Sequence, residues 1–276
     1  MRYIVATTTR PLMNPPVSCA LTPDQVARFD LDGFLVLPHR ASPATCTALA
    51  AAAGAQLQNH IPPLEYEADL GYPGAPPSRA AEGGTTVRRL RGTFGRGAVF
   101  RDWAFAPEVC DPVRQLLGAP LYLTLAHHNA VMTKHPRYGT ATGWHRDNRY
   151  WSFVQPQLIT AWLALGPEDA TNGALRVIPG SHQVALAPGQ LDSLSFLVES
   201  HPDSAALVAR AMEVPLQAGD VLLFDSRLFH SAGRNEGERV KMSVAFTYYG
   251  AGNQPVPGSR TEAGGSVAVP ASADPS

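Results

Sequence analysis

The sequence predicts an all-β core with flanking helices, arranged as a double-stranded β-helix, or jelly roll. Beyond residue 120, short apolar runs alternate with segments rich in Gly, Pro, Asn and Asp, which is typical of strands joined by turns. Several runs are apolar at both alternating positions, and no helical pattern intervenes to make a parallel sheet. Two stacked antiparallel sheets fit this pattern best. The predicted strands of this part are 121–126, 158–165, 175–178, 221–224 and 240–249.

The N-terminal part is predicted to fold as helix, strand and helix. Thr22-Pro23-Asp24-Gln25 combines a capping box with proline at the first helical position, so a helix begins there and ends before Gly33. The apolar run 34–37 is typical of a buried strand, and Ser42-Pro43 caps an alanine-rich helix. A further short helix is expected from Asp111-Pro112 to residue 118.

Length and composition predict one main domain. A chain of 276 residues with 45% apolar residues can form a single large core, which we expect over residues 21–250. Residues 1–20 are expected to form a flexible leader, and 251–276, rich in Gly, Pro, Ser and Ala, a partly disordered tail. The Pro- and Gly-rich stretch 61–86 predicts a long loop of the kind that often covers an active site.

Charge and cysteine content argue against several classes of protein. The formal net charge of -1 gives no field that would attract nucleic acid or an anionic membrane surface. The three cysteines lack a CxxC spacing, and no apolar run reaches the roughly 18 residues of a membrane-spanning helix. We therefore expect a cytoplasmic protein that acts on a small molecule, without nucleic-acid or membrane partners. Its oligomeric state is not indicated.

A histidine and an aspartate two residues apart are compatible with a metal site, whereas the spacing by itself is more often that of a surface hydrogen-bonding pair. In Gly143-Trp144-His145-Arg146-Asp147, the spacing directs His145 and Asp147 to the same face of a strand. Imidazole and carboxylate suit divalent iron, and a second histidine would complete a facial triad with open positions. His230, which follows an apolar strand, is the candidate. The triad by itself also permits a Zn or Mn enzyme for hydrolysis or isomerisation.

Four motifs in order resemble the phytanoyl-CoA dioxygenase family. The resemblance extends from about Leu21 to Tyr249 and implies a jelly roll that binds Fe(II), 2-oxoglutarate and O2. It places the metal ligands on His145, Asp147 and His230. The motifs are LTPDQVARFDLDGFLVLP at 21–38, GWHRD at 143–147, NGALRVIPGSH at 172–182 and HSAGRN at 230–235.

The implied reaction is hydroxylation of an unactivated C–H bond of a small molecule, with release of succinate and CO2. Desaturation, epimerisation or cyclisation stay open, because they differ in substrate placement rather than in ligands. A halogenase would need a small residue in place of Asp147. The other alternative is a binding member of the family without catalysis.

The resemblance also indicates how 2-oxoglutarate is held. In the family, a basic residue eleven positions after the distal histidine binds the far carboxylate. Here that position is Lys241, and Lys241 with Ser243 resembles the basic-x-Ser pair of related dioxygenases. Arg239, two positions earlier on the same strand face, is the alternative anchor. A lysine offers a point charge where an arginine would offer a bidentate fork.

Trp162 and Asn129 are two further candidates for the cosubstrate site. Trp162 resembles a tryptophan that packs near 2-oxoglutarate in the family, with ordinary core packing as the alternative. Asn129 could offer an amide to 2-oxoglutarate, or could be a turn residue. His127 and His128 point to opposite faces, so at most one faces the interior, and both are interpreted as non-ligating.

Residues that follow the first two ligands are predicted to rim the mouth of the site and to contact substrate. The basic run 88–91 could pair with a carboxylate or phosphate of the substrate, or could be a solvated face. The predicted substrate contacts after the ligands are Arg146, Arg149, Tyr150 and Trp151.

Overall fold

A computed structural model describes residues 19–271, which contain thirteen strands and six α-helices. The helices are α1 (Pro23–Asp32), α2 (Pro43–Gln58), α3 (Ala98–Ala104), α4 (Pro107–Leu117), α5 (Pro202–Val208) and α6 (Arg260–Gly264). The strands are β1 (Phe34–Leu37), β2 (Leu64–Tyr66), β3 (Val87–Arg91), β4 (Leu121–Thr124), β5 (Asn129–Lys134), β6 (Thr142–His145), β7 (Ile159–Ala164), β8 (Leu175–Val177), β9 (Met212–Glu213), β10 (Val221–Asp225), β11 (His230–Ala232), β12 (Lys241–Gly250) and β13 (Ser266–Ala268).

The strands form two antiparallel sheets. The larger sheet has the order β1-β10-β7-β12-β5-β3-β2, with β4 joined to β12 and β13 joined to β4. The smaller sheet has the order β6-β11-β8-β9. Each ladder pairs its strands antiparallel, for example β10 with β7 and β11 with β6. The predicted jelly roll is confirmed.

The alternation of side chains along the larger sheet explains why its strands are apolar at every position. On β7, Leu163 faces the helical layer and packs in one core cluster with Leu49 of α2 and Val113 of α4. The neighbouring Trp162 belongs to a second cluster, together with Leu175 of the smaller sheet. The larger sheet is thus covered by helices on one side and by the smaller sheet on the other.

The caps predicted from sequence position the N-terminal helix. Thr22 and Gln25 form the expected capping box, and α1 ends at Gly33, whose φ is 80°. A Cβ at Gly33 would lie 2.4 Å from His182 Nδ1, so glycine is needed both for the backbone and for the space. The predicted start of α4 at Asp111 is wrong. The helix begins at Pro107, because that residue already supplies a proline at the first helical position.

Two segments expected to lack regular structure contain strands. The predicted loop 61–86 includes β2, which pairs with β3 and is followed by the buried Glu67. The expected disorder after residue 250 is wrong for the described part, since α6 and β13 form there and β13 pairs with β4. The fold therefore extends past 250, while residues 1–18 of the predicted leader and 272–276 lie outside the described range.

None of the helices in residues 19–271 has both the length and the apolar character needed to cross a membrane.

Removing residues 259–276 should destabilise the domain. The cut deletes the pairing of β13 with β4 and exposes the surface that Val269 covers, where its N–H donates to Leu121 O at 2.9 Å. We expect a loss of about 2 to 4 kcal/mol in the free energy of unfolding, measured with denaturant. A matched chain cut after Ala271 should be unchanged, and equal stability of the two chains would contradict a structural role of the tail.

Candidate metal centre and adjoining cavity

The ends of two neighbouring strands bring the predicted metal ligands together. His145 is the last residue of β6, His230 is the first residue of β11, and the two are direct cross-strand partners. Asp147 lies beyond the strand, at the start of a short 3₁₀ turn. One ligand atom from each residue lies within 4.8 Å of the other two. The three residues predicted from the sequence to be metal ligands therefore lie together at the ends of these two strands.

Backbone carbonyls fix the orientation of both imidazoles. Nδ1 of His145 lies 2.9 Å from Gly143 O, and Nδ1 of His230 lies 3.0 Å from Leu228 O. A protonated Nδ1 donates to each carbonyl, which leaves the lone pair on Nε2. The two Nε2 atoms lie 3.5 and 3.4 Å from Asp147 Oδ1. This is the tautomer that a metal-binding histidine requires.

The Asp147 carboxylate is fully buried but accepts no hydrogen bond from residues 19–271. His128 Nδ1 lies 3.0 Å from Oδ2, outside hydrogen-bonding geometry. Burial alone would raise the pKa of Asp147, but the imidazoles of His128 and His230 outweigh it and hold the pKa well below its ordinary value. A buried, charged carboxylate without hydrogen bonds is costly unless a cation neutralises it. The donor set therefore fits a divalent metal ion.

The two histidines differ in their affinity for a proton. Burial, assisted by the charge of His230, lowers the pKa of His145 to about 4. Burial also opposes protonation of His230, but the Asp147 carboxylate outweighs it and raises the pKa of His230. At neutral pH His145 therefore has a free Nε2 lone pair with which to bind a cation.

A cavity adjoins this centre and lies between the two sheets. Its walls include apolar side chains from both sheets, such as Trp162, Leu175 and Phe224. His128 also lines the cavity and His127 does not, so only one of the two adjacent histidines faces inward, as expected. The sequence did not predict that His128 lies beside Asp147. Four basic residues line the cavity, and these are Arg88, Arg89, Lys134 and Lys241.

Lys241, Ser243 and Trp162 lie together, as the resemblance implies, but all three bind a carboxylate of the chain itself. Lys241 Nζ donates to Glu168 Oε2 at 2.8 Å. Ser243 Oγ and Trp162 Nε1 donate to Glu168 Oε1 at 2.5 and 3.1 Å. Sequence reasoning missed Glu168, because its partners Lys241 and Ser243 lie more than 70 residues away on another strand and no local pattern pairs them with it.

Arg239 and Asn129 lie outside the cavity. Arg239 is exposed and lines a separate surface depression, so the structure does not bring it to the triad. Asn129 is buried, and its Oδ1 accepts the backbone N–H of Phe94 at 2.7 Å. Its amide therefore fixes the chain before α3, which corrects the expectation of a cosubstrate contact.

Of the predicted rim residues, Tyr150 and Arg149 lie close to the metal centre. The Tyr150 ring lies 6.1 Å from the His145 ring, and burial raises the pKa of its phenol to about 12. The Arg149 guanidinium lies 4.2 Å from the Phe196 ring centroid, and Phe196 in turn packs 5.7 Å from His145. Arg149 Nη1 is buried without a hydrogen-bond partner in the described chain.

Arg146 and Trp151 have structural contacts instead. Arg146 Nη2 donates to the carbonyls of Ser181 and Val184 at 2.6 and 2.8 Å. Trp151 is buried, and its Nε1 donates to Ala126 O at 2.8 Å. Both side chains therefore fix neighbouring loops, and neither lines the cavity beside the triad.

The basic run on β3 is not a solvated face. Arg88 and Arg89 line the cavity, where Arg88 pairs with Glu67 at 3.0 Å and Arg89 with Glu65 at 3.4 Å. Arg89 Nε is buried without a hydrogen-bond partner among residues 19–271. Arg89 thus retains a donor on the cavity side of the sheet.

Comparison with known proteins assigns the chain to a family. The sequence profile of the phytanoyl-CoA dioxygenase (PhyH) family matches residues 29–243, well over half of the chain. The chain belongs to the phytanoyl-CoA dioxygenase family. The match ends at Ser243 and includes all three residues of the triad.

Individual relatives of this phytanoyl-CoA dioxygenase family member are distant. A probable phytanoyl-CoA dioxygenase of Caenorhabditis elegans is 26% identical over 56% of this chain and 52% of its own length, so the chain matches about half of that relative. An ectoine dioxygenase of Bordetella bronchiseptica is 26% identical over 83% of this chain and 75% of its own length. The crystal structure of the epimerase SnoN with Fe3+, alpha ketoglutarate and nogalamycin RO has a TM-score of 0.68 at 22% identity, covering 85% of each chain, which shows the shared fold.

Asp147→Ala should abolish metal binding without unfolding the protein. The substitution removes the only carboxylate of the triad, and it also removes a buried charge that no hydrogen bond stabilises. Anaerobic titration with Fe(II) should show at least a hundredfold weaker binding, on the order of a lost charged ligand. Asp203→Ala, at an exposed carboxylate on α5, should bind as the wild type, and unchanged binding in Asp147→Ala would exclude the triad.

Proposed function

We propose that the chain is an Fe(II)- and 2-oxoglutarate-dependent dioxygenase that hydroxylates an unactivated C–H bond of a small molecule and releases succinate and CO2. One observation carries the proposal. The buried Asp147 carboxylate, without a hydrogen bond, faces two Nε2 atoms at the wall of a cavity that contains buried lysines. Family membership supports the iron- and 2-oxoglutarate-dependent class, and the SnoN structure, which is that of an epimerase, has the same fold with Fe3+ and alpha ketoglutarate bound.

His145, Asp147 and His230 are the proposed ligands of Fe(II). Two histidines and one carboxylate form the facial set that suits non-haem iron and leaves positions for other ligands. With 2-oxoglutarate and O2, the bound metal supplies the oxidising chemistry. The chain itself supplies position, since the carbonyls of Gly143 and Leu228 hold the two imidazoles.

The cavity walls supply positive charge and exclude water. Basic side chains supply positive charge for a dicarboxylate, and the cavity is lined by Trp162, Leu175 and Phe224 on its apolar side. A low-dielectric wall strengthens the attraction between a carboxylate and a lysine. The same wall shields the reacting carbon of the substrate from water.

The substrate is proposed to lie against Tyr150 and Arg149, next to the outer edge of the metal centre. Their approach to His145 and Phe196, with an unsatisfied Arg149 donor, supports this position. Tyr72 of the predicted covering segment 61–86 packs 5.7 Å from the Phe196 ring. That segment is therefore proposed to border the substrate.

A hydrolase or isomerase that uses Zn or Mn is the second candidate for the same triad. It would leave Lys134, a buried lysine of the cavity with no carboxylate partner within 4 Å among residues 19–271, without a role, whereas a dicarboxylate cosubstrate supplies an anion for it. A binding protein without catalysis would retain the metal but produce no succinate. The next experiment separates the three.

Purified protein supplied with Fe(II), ascorbate, O2 and 2-oxoglutarate should release succinate, and the rate should rise when a substrate from a small-molecule panel is added. Succinate is measured by chromatography with mass detection. His230→Ala and Asp147→Ala should reduce the rate by roughly a thousandfold or more, because the oxidising chemistry requires the bound metal. Metal-dependent conversion of panel compounds without succinate would favour the Zn or Mn enzyme, and no turnover of any kind the binding protein.

Arg149→Met should affect substrate binding, and Arg146→Met should affect stability. Arg149→Met should raise the KM of the stimulating substrate roughly tenfold, because a charged donor is lost, and should leave unfolding nearly unchanged. Arg146→Met should leave the KM unchanged but cost about 1.5 to 3 kcal/mol in unfolding free energy, because two hydrogen bonds to carbonyls are lost. If Arg146→Met raised the KM and Arg149→Met did not, the substrate would have to lie beside Arg146 instead of Arg149.

A further inference from the structure

Both lysines of the chain lie side by side in the cavity. Among 22 basic residues only Lys134 and Lys241 are lysines. They are direct cross-strand partners on β5 and β12, and both line the cavity beside the triad. Two buried like charges in this position are destabilising unless each is compensated.

Glu168 compensates only Lys241. Its two carboxylate oxygens already accept hydrogen bonds from Lys241, Ser243 and Trp162. The backbone of Glu168 is also fixed, since it exchanges two hydrogen bonds with Leu216, at 2.8 and 3.0 Å. Lys241 is therefore neutralised by a carboxylate that belongs to the folded chain.

Lys134 has no carboxylate partner within 4 Å in the described part of the chain. Its Nζ instead donates to the backbone carbonyls of Ala232 and Gly233. Arg88 and Arg89, the other basic residues of the cavity, are paired with Glu67 and Glu65. Lys134 is thus the one cavity cation among residues 19–271 that still lacks an anion.

Two of the sequence motifs pack around Lys134. A Cβ at Gly173, whose φ is +76°, would lie 2.6 Å from Gly233 O and 2.7 Å from Lys134 Cδ, so this glycine allows both the segment after β11 and the lysine to pack against the turn. Asn235 Nδ2 donates to Lys134 O at 2.8 Å. The turn at 172–173 and the segment 230–235 therefore fix Lys134 in place, which is how a binding residue is preorganised.

We propose that Lys134, rather than Lys241, binds the far carboxylate of 2-oxoglutarate, while Lys241 is held by Glu168. This assignment rests on the proposed function and names a residue outside the basic-x-Ser pair. A carboxylate in the cavity would give Lys134 the anion it lacks. Lys241 then lines the cavity without contacting the cosubstrate, and Ser243 holds Glu168 in place behind it.

The electrostatics of Lys134 are consistent with an anion-binding role. Burial, followed by the charges of Lys241 and Arg88, lowers the pKa of Lys134 to about 7, while Glu67 and Glu168 act in the opposite direction. A bound carboxylate stabilises the charged form and raises this pKa. The lysine would therefore be more fully protonated with cosubstrate than without it.

The test compares two ligands that differ only at the far end. 2-Oxoglutarate carries the carboxylate, and 2-oxopentanoate carries a methyl group in its place. Anaerobic Fe(II) protein is titrated with each, and the visible charge-transfer absorption of the metal complex with the 2-oxo acid reports binding without turnover. The wild type should prefer 2-oxoglutarate roughly tenfold to hundredfold, the range for a charged hydrogen bond. Lys134→Met should reduce the preference to about threefold or less, within the uncertainty of such contributions.

Two comparison variants make the result specific. Arg101→Met removes an exposed positive charge on α3 and should keep the full preference. The double variant Lys241→Met, Glu168→Gln removes both charges of the ion pair, so the net charge of the cavity wall is unchanged. It should reduce the preference for 2-oxoglutarate less than Lys134→Met does. A larger loss in the double variant, or a full preference in Lys134→Met, overturns the assignment. If the Fe(II)-loaded wild type binds neither 2-oxo acid, the proposed function itself fails and the assignment fails with it.

The NMR signal of the Lys134 side chain in the wild-type protein gives a test that does not require the Lys134→Met variant to fold. Lysine labelled with 13C at Cε gives two side-chain signals in this chain, and Lys241→Arg identifies the one from Lys134. When 2-oxoglutarate is added at pH 8 to the full chain loaded with diamagnetic Zn(II), the Lys134 signal should move to the position of a charged ammonium. A change confined to Lys241, or none in either signal with 2-oxoglutarate bound, overturns the assignment.

Discussion

The pairing of β11 with β6 determines the geometry of the whole site. It places His230 opposite His145, although the two are 85 positions apart, and the turn after β6 then brings Asp147 between them. A shift of one residue in this register would turn His230 to the other face of the sheet. The register is maintained by β8 on the other side of β11, so the smaller sheet acts as the support of the metal centre.

Charge balance is the second constraint on the site. The fold buries a carboxylate between imidazoles, and beside it the buried Arg88, Lys134 and Lys241 and the partly buried Arg89 line one cavity. Three of these basic side chains have carboxylate partners from the chain, on Glu65, Glu67 and Glu168. Burying so many charges is unfavourable for folding by itself, and it is the expected feature of a site whose remaining charges are neutralised by ligands.

Glu168 marks a local difference between this site and the arrangement that the resemblance implies. Lys241 and Ser243 occupy the positions that the resemblance implies, and Lys241 lines the cavity, yet the donors of both are used by an internal carboxylate. The Arg-to-Lys departure fits this arrangement, because lysine offers one compact charge that a single carboxylate can neutralise. Lys134 lies opposite it at the end of β5 and packs against Gly173, so the motif at 172–182 also contributes to the surroundings of a buried cation.

The sequence by itself determined what depends on local pattern. The capping box at Thr22, the strand-like runs after residue 120 and the spacing of His145 and Asp147 follow from neighbouring residues, and they sufficed for the jelly roll and the triad. The strand in the tail, the Glu168 pair and the place of Lys134 were decided only in the tertiary structure. Lys241 meets Glu168 across 73 residues, and Lys134 meets Ala232 across 98. Such partners depend on which strands become neighbours, and a local pattern carries no information about the side chain that a distant strand will present.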